Sequence, residues 1–174
     1  MMAKTNMFNT HAPRLVPITQ AKHAEDALDL AERAADYVTL EVGHAPNMDF
    51  IDGFFTAAPP GLGTDDLLHF AVMDGPAFIG IICIAEGYEL AKDWWIGLVL
   101  MDPAYRERGI GHKVINSIKN RARTAGIEAL KLSVLEVNTR ATLFWTREGF
   151  VPHRYAPATP DSDGHNRWVL KHDL

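Results

Sequence analysis

The chain has 174 residues, 47% hydrophobic and 22% charged, with one cysteine and a net charge of -5. A chain of this size and balance forms one globular unit that buries about 70% of its extended surface. Its make-up excludes a membrane span, since no run of about eighteen apolar residues exists, an internal disulfide, and a general nucleic-acid or anionic-membrane surface, which the negative balance would repel.

Residues 1 to 13 are polar and short of large aliphatic side chains, which reads as a disordered tail ahead of a single domain over 14 to 174. The opening Met1-Met2-Ala3-Lys4-Thr5-Asn6-Met7 lacks the apolar core of a signal peptide, so a cytoplasmic location is expected. Arg14 to Ile18 reads as an edge strand, where Pro17 is tolerated because an edge has spare amide positions. Thr19 can cap a first helix running from about Gln20 to Leu40, with Ala24, Leu28, Ala31, Ala35 and Val38 on its apolar face. Between Gly43 and Gly63 the pattern breaks around Pro46, Pro59 and Pro60. Phe50 to Phe55 reads there as a short second helix, and the region as a lid over an acceptor side.

His69 to Met73, the turn Asp74-Gly75-Pro76 and Ala77 to Glu86 make a hairpin, and Trp94 to Leu100 supplies the next strand of an antiparallel meander. Cys83 lies inside this apolar hairpin and reads as a buried thiol. A third helix runs from about Ile110 to Ala125, with Ile110, Val114, Ile115, Ile118 and Ala122 facing the sheet and Lys119, Arg121 and Arg123 facing water. Ala129 to Val134 is a buried strand, Asn138 a helix N-cap, and Gly149 the stop of the short helix that Asn138 opens. Pro152 to Tyr155 and Asn166 to Leu170 are two last strands joined by the polar turn Pro160 to Gly164. The fold class is α/β (α+β): a mixed, mostly antiparallel central sheet of about seven strands flanked by helices.

Between the strand ending at Met101 and the helix starting at Ile110 lies Asp102-Pro103-Ala104-Tyr105-Arg106-Glu107-Arg108-Gly109, followed by Gly111-His112-Lys113. Arg106, Arg108 and Lys113 bring positive charge, and the glycines leave the first unpaired helix amides open to an anion. A P-loop is excluded, because Gly111 is not followed by Lys-Ser/Thr. A dinucleotide fingerprint is weak, because Val114 stands where a third small residue belongs. None of the eight histidines has metal-ligand spacing.

Arg-x-x-Gly-x-Gly after Leu98-Val99-Leu100-Met101-Asp102-Pro103, with Leu132 to Phe150 about thirty residues on, resembles the GNAT superfamily of acyl-coenzyme A dependent N-acyltransferases. The two segments cover roughly residues 94 to 150. The resemblance implies acetyl-coenzyme A as co-substrate, its pyrophosphate on Arg106, Arg108, Gly109, Ile110, Gly111 and His112. It also implies a gap between the fourth strand, Trp95 to Met101, and the fifth, Ala129 to Val134. The pantetheine arm would lie there along the backbone of Val99, Leu100 and Met101, with Asn138, Phe144 and Trp145 on the other side. The Leu100 amide is the expected donor to the developing oxyanion. His112 either meets the coenzyme or stays a solvated surface side chain. Many family members carry a tyrosine acid at the position of Trp145; an indole N–H cannot protonate a thiolate, but a thiol of pKa about 8.5 leaves with little penalty. Trp145 then either packs the helix onto the sheet or lines the acyl pocket.

The acceptor must be neutral to attack. A lysine-like amine of pKa about 10.4 costs roughly 4.6 kcal/mol to deprotonate at pH 7, and an α-amine near 8 about 1.4 kcal/mol. The fourth strand has no central carboxylate, which leaves Glu86, Asp93 and Glu41 at the margins, or an ordered water, as base. The leading expectation is an N-acetyltransferase acting on a primary amine of a small molecule or amino acid derivative by direct attack in a ternary complex. The alternatives are a non-catalytic coenzyme A-binding sensor or partner-binding module, and an acyltransferase for a protein N-terminus or aminoacyl-tRNA. Aromatic residues near the sheet edge leave a homodimer open.

Overall fold

The computed structural model describes residues 12–159 and 164–174. The expected tail therefore lies almost wholly outside the described residues, as does most of the turn Pro160 to Gly164. In chain order the elements are β1 (Arg14–Pro17), α1 (Gln20–Arg33), α2 (Ala35–Val42), α3 (Met48–Thr56), β2 (Leu67–Asp74), β3 (Ala77–Glu86), β4 (Asp93–Met101), α4 (Ile110–Thr124), β5 (Ala129–Leu135), α5 (Thr139–Arg147), β6 (Val151–Ala156) and β7 (Arg167–Asp173). The strands form one sheet in the order β1-β2-β3-β4-β5-β7-β6. Its neighbours are antiparallel except β4 and β5, which are parallel and joined through α4.

Each face of the sheet carries its own core. On one, Val114, Ile115 and Ile118 of α4 and Trp145 of α5 pack on Ile82, Ile84, Trp94, Ile96, Leu130 and Leu132. On the other, Ala27, Leu30 and Ala31 of α1, Val38 of α2 and Ile51, Phe54 and Phe55 of α3 cover Ala71, Ile81, Cys83 and Leu100. Burial of these apolar faces at about 25 cal/mol per Å² is the main force holding helices to sheet.

Two expectations need correction here. The first helix is not continuous to Leu40: it breaks at Ala34, whose φ of -101° and ψ of 29° leave the helical range. Ala34 is fully buried, and the bend there turns α2 across the sheet. No glycine or proline marks the break, so packing rather than local propensity makes it. Lys119 does not face water. It is buried, its stem lies by the Phe150 ring, and its Nζ donates to the Glu148 carbonyl at 2.6 Å just past the end of α5. Desolvation lowers its pKa, yet the ammonium keeps a partner by reaching the negative end of a helix dipole.

A bulge in β4 sets the geometry of everything that follows. Cys83 pairs with Leu98 and Ile84 with Ile96, so Gly97 has no partner on β3. The extra residue bends the strand and reverses which side chains face which core. Trp94, Ile96, Val99 and Met101 face α4 and α5, while Trp95, Leu98 and Leu100 face α1 to α3. Just past Ile96 the pairing of β4 with β5 ends, having joined only Asp93–Ile96 to Ala129–Leu132.

Candidate active site

Where β4 and β5 part, a cavity of about 1020 Å³ opens between them, lined by Gly97 to Met101 on one side and Leu132 to Leu135 on the other. The hydrogen-bond register shows which backbone groups look into it. The Asp102 N–H donates to the Ile79 carbonyl at 2.9 Å, and the pairs Gly80 with Met101, Ile81 with Leu100 and Ile82 with Val99 continue the ladder. Antiparallel positions alternate between bonded and unbonded, so Leu100 shares a bonded position with Ile81. Its amide is used by β3 and its side chain is buried. The expectation that the Leu100 amide meets an oxyanion is thus corrected: Val99 and Met101 turn their N–H groups into the cavity.

At the mouth, the turn after β4 is held by its own polar contacts. Asp102 accepts from the Ala104 N–H at 2.8 Å and from Arg33 Nε at 2.6 Å. Glu107 and Gly109 both take positive φ, at 61° and 74°, which swings the chain into α4 with its first amides aimed at the cavity mouth. Gly111 has a separate reason to be glycine: a Cβ there would sit 3.0 Å from the Phe144 ring. That close approach lets the start of α4 pack on α5 beside the cavity.

Of the residues expected to hold a coenzyme, Val99, Leu100, Met101, Arg106, Gly109, Gly111, His112, Asn138, Phe144 and Trp145 all line the cavity. Arg108 and Ile110 do not. The Arg108 guanidinium lies over the Tyr105 ring at 5.7 Å, and Ile110 packs on the core. Arg106 is engaged already: its Nε donates to the Met101 carbonyl at 3.1 Å and its Nη2 to Asp36 at 3.0 Å. This guanidinium holds the Asp36 carboxyl below its usual range. His112 Nδ1 donates to Glu148 at 2.9 Å, and its Nε2 accepts from Asn116 at 2.8 Å. Asn138 caps α5 by accepting from the Ala141 N–H at 3.0 Å. Trp145 packs in the core against Phe150 and also lines the cavity.

Neither Glu86 nor Asp93 is among the lining residues. Both lie at the zipped end of β4, where Glu86 pairs with Trp94. Asp93 is buried against Lys131 Nζ at 2.7 Å, a structural ion pair, so as bases these two are corrected. The third margin carboxylate, Glu41, is the one that the fold carries inward. The bend at Ala34 sets Tyr37 and Glu41, one turn apart on α2, against the cavity. The Tyr37 hydroxyl donates to Glu41 Oε2 at 3.3 Å and Arg167 Nη2 to Oε1 at 2.8 Å. Burial, and then the neighbouring carboxylate, push the Tyr37 phenol up, so it stays a neutral donor.

Sequence reasoning missed two participants. Arg140 and Arg147 line the cavity beside Phe144. Their spacing of four and three residues from Phe144 was the available signal, since positions i, i+4 and i+7 share one helix face. Tyr37 is one of the aromatic side chains that the sequence offers as a wall of an acceptor pocket; it lines both cavities, and the α1–α2 bend is what brings its i, i+4 link to Glu41 there. A smaller cavity of about 460 Å³ joins the first at Tyr37, Glu41, Gly97 and Leu98 and runs beneath α3.

The acetyltransferase (GNAT) family model matches residues 27–150. No curated protein matches the chain. Among solved structures, an acetyltransferase from Thermus thermophilus superposes with a TM-score of 0.75 at 21% identity, over 95% of this chain and 99% of that one. The PaiA N-acetyltransferase from Thermoplasma acidophilum in complex with coenzyme A gives 0.65 at 14% identity, over 94% and 100%. The spermidine/spermine N-acetyltransferase SpeG from Vibrio cholerae gives 0.65 at 13% identity, over 93% and 92%. At such identities the likeness to solved structures shows the fold.

Proposed function

Because the chain belongs to the acetyltransferase (GNAT) family, we propose that it transfers an acetyl group from acetyl-coenzyme A to a primary amine of a small molecule by direct attack in a ternary complex. The observation that carries this reading is the parting of β4 from β5 after Ile96, with the Val99 and Met101 amides facing the gap and the amides of the α4 start at its mouth. An extended arm can lie there as an added strand, and a diphosphate fits the helix start and the basic rim of Arg140 and Arg147. Acetyl-coenzyme A, when bound, supplies an activated thioester carbonyl.

This chain's residues then have separable tasks. The Val99 amide or that of Met101 stabilises the charge that develops on the carbonyl oxygen. Glu41 stands where the two cavities meet, with its carboxylate oriented by Tyr37 and Arg167. It receives the ammonium and takes a proton from it, directly or through water. The neutral amine attacks the thioester carbon, the C–N bond forms, the nitrogen gives up its second surplus proton to water, the C–S bond breaks, and the sulfur leaves as a thiolate that takes a proton from water. No acid from α5 is required.

Thiol release and thermal shift test this. Acetyl-coenzyme A is expected to raise Tm and to be consumed with a suitable amine. Arg147→Gln, an exposed change on the basic rim, is expected to weaken the coenzyme by about tenfold, ~1.4 kcal/mol, without lowering Tm of the free protein. Glu41→Gln is expected to lower kcat by about a hundredfold at pH 7, with the deficit closing as pH approaches the pKa of the amine. Tm stabilisation with no thiol release across a broad amine panel would overturn the catalytic reading and leave a coenzyme binder.

A further inference from the structure

Resting on the acetyl-transfer reading, we infer that the acceptor is a primary amine carried on an apolar, ring-sized body and lacking a carboxylate. The smaller cavity is the place for it, since it meets the donor cavity at Tyr37, Glu41, Gly97 and Leu98 and is otherwise bounded by the end of α2, His44 and Asn47 of the following loop, α3 and Cys83 of β3. At about 460 Å³ it falls in the lower part of the range of small-ligand sites.

The chemistry of the lining selects the occupant. Phe50, Phe54, Val42, Ala57 and Leu98 form apolar walls, and Cys83 lies at the floor. Burial pushes the Cys83 thiol up to about 12, so the floor is neutral. Phe54 is fixed by a T-shaped contact with Phe55 at 4.7 Å and another with His69 at 5.0 Å. The aromatic wall is therefore set before any ligand arrives, which favours a flat or compact apolar body.

Charge selects further. The acidic side chains of the lining are Glu41 at the junction and Asp49 in the first turn of α3; no lysine or arginine is among the lining residues, and the imidazole of His44 donates from Nδ1 to the Ala45 carbonyl at 2.8 Å. Arg167, the nearest guanidinium to Glu41, is outside both linings and bonded to Glu41. An ammonium entering at the junction meets a carboxylate. A carboxylate on the same molecule would meet two acidic side chains and no lysine or arginine within the cavity. A polyamine satisfies the charges but leaves the aromatic wall without an apolar partner, and its second cation finds only the exposed Asp49.

The test is thiol release from acetyl-coenzyme A with 2-phenylethylamine, phenylalanine and spermidine, together with Tm shifts by acetyl-coenzyme A alone. The expected result is a kcat/KM for 2-phenylethylamine at least tenfold above both others. Val42→Lys, an exposed change that places a cation on the cavity wall, is expected to raise phenylalanine relative to 2-phenylethylamine by about tenfold. If phenylalanine or spermidine equals or exceeds 2-phenylethylamine in the unaltered protein, the acceptor class is overturned while acetyl transfer stands. If no amine supports thiol release and acetyl-coenzyme A leaves Tm unchanged, both readings fall together.

Discussion

Trp145 lines the cavity from α5, and its indole N–H holds its proton across the working pH range, so in the proposed reaction it gives none to the departing sulfur. Its burial against Phe150 and Phe144 gives it a packing role in any case. If expulsion of the thiolate needs no acid, Trp145→Tyr changes kcat by less than about threefold. A gain of about a hundredfold, within the usual reach of general acid catalysis, would show that proton delivery limits the reaction. Cys83 gives a second test at this scale. With its pKa pushed up to about 12 by burial, the thiol resists alkylation at pH 7 in the folded protein and reacts once urea unfolds it. The residue scale is also where the sequence was hardest to read. Leu98-Val99-Leu100-Met101 is recognisable as a strand, but which of its amides face the gap depends on the register after the Gly97 bulge, and a shift of one residue exchanges Leu100 for Val99 and Met101.

The short helices are where local pattern and final structure diverge most. The presence of α3 was legible from Phe50 to Phe55 ahead of Pro59, both local signals, although the helix begins two residues earlier, at Met48, where Asn47 caps it. The break between α1 and α2 was not, because the apolar spacing runs on through Ala34 and only contact with the sheet selects the bend. Two long-range hydrogen bonds hold α3: Gln20 Nε2 of α1 donates to Asp52 Oδ1 at 2.6 Å, and His69 Nε2 on β2 donates to the Phe54 carbonyl at 2.8 Å. Burial holds the His69 pKa below its usual value. The unfolded chain therefore takes up a proton first as pH falls, and this contribution to stability, complete above the unfolded pKa of about 6.5, is lost between there and the lower native value. His69→Gln, which can still donate to Phe54, is expected to show a smaller fall in Tm between pH 7 and pH 5 than the unaltered protein. Equal falls would remove His69 as the cause.

Across the whole molecule the sheet is closed at one end of the β4–β5 seam and open at the other. The closed end is fastened by charge: Lys131 lies 2.7 Å from Asp93 and 2.9 Å from Glu89, which also meets Arg154 of β6 at 2.9 Å. Burial disfavours the Lys131 ammonium, but the two carboxylates prevail and raise its pKa. Lys131→Met strands Asp93 in the interior and is expected to cost about 3–5 kcal/mol in urea unfolding, whereas Asp93→Leu with Lys131→Met recovers most of it. The strand number, the mixed sheet and the glycine-bearing turn from β4 into α4 were legible because each is written in a contiguous segment. The pairing of α2 with β7 through Glu41 and Arg167 was not, since 126 positions separate the partners and no local pattern links them. The sheet order carries one more consequence. β7 lies between β5 and β6, so while a ribosome has yet to deliver residues 167 to 173, the newly made β5 edge stays bare and β6 has nowhere to dock. During synthesis that interval is when the chain is most open to aggregation and to holding by chaperones.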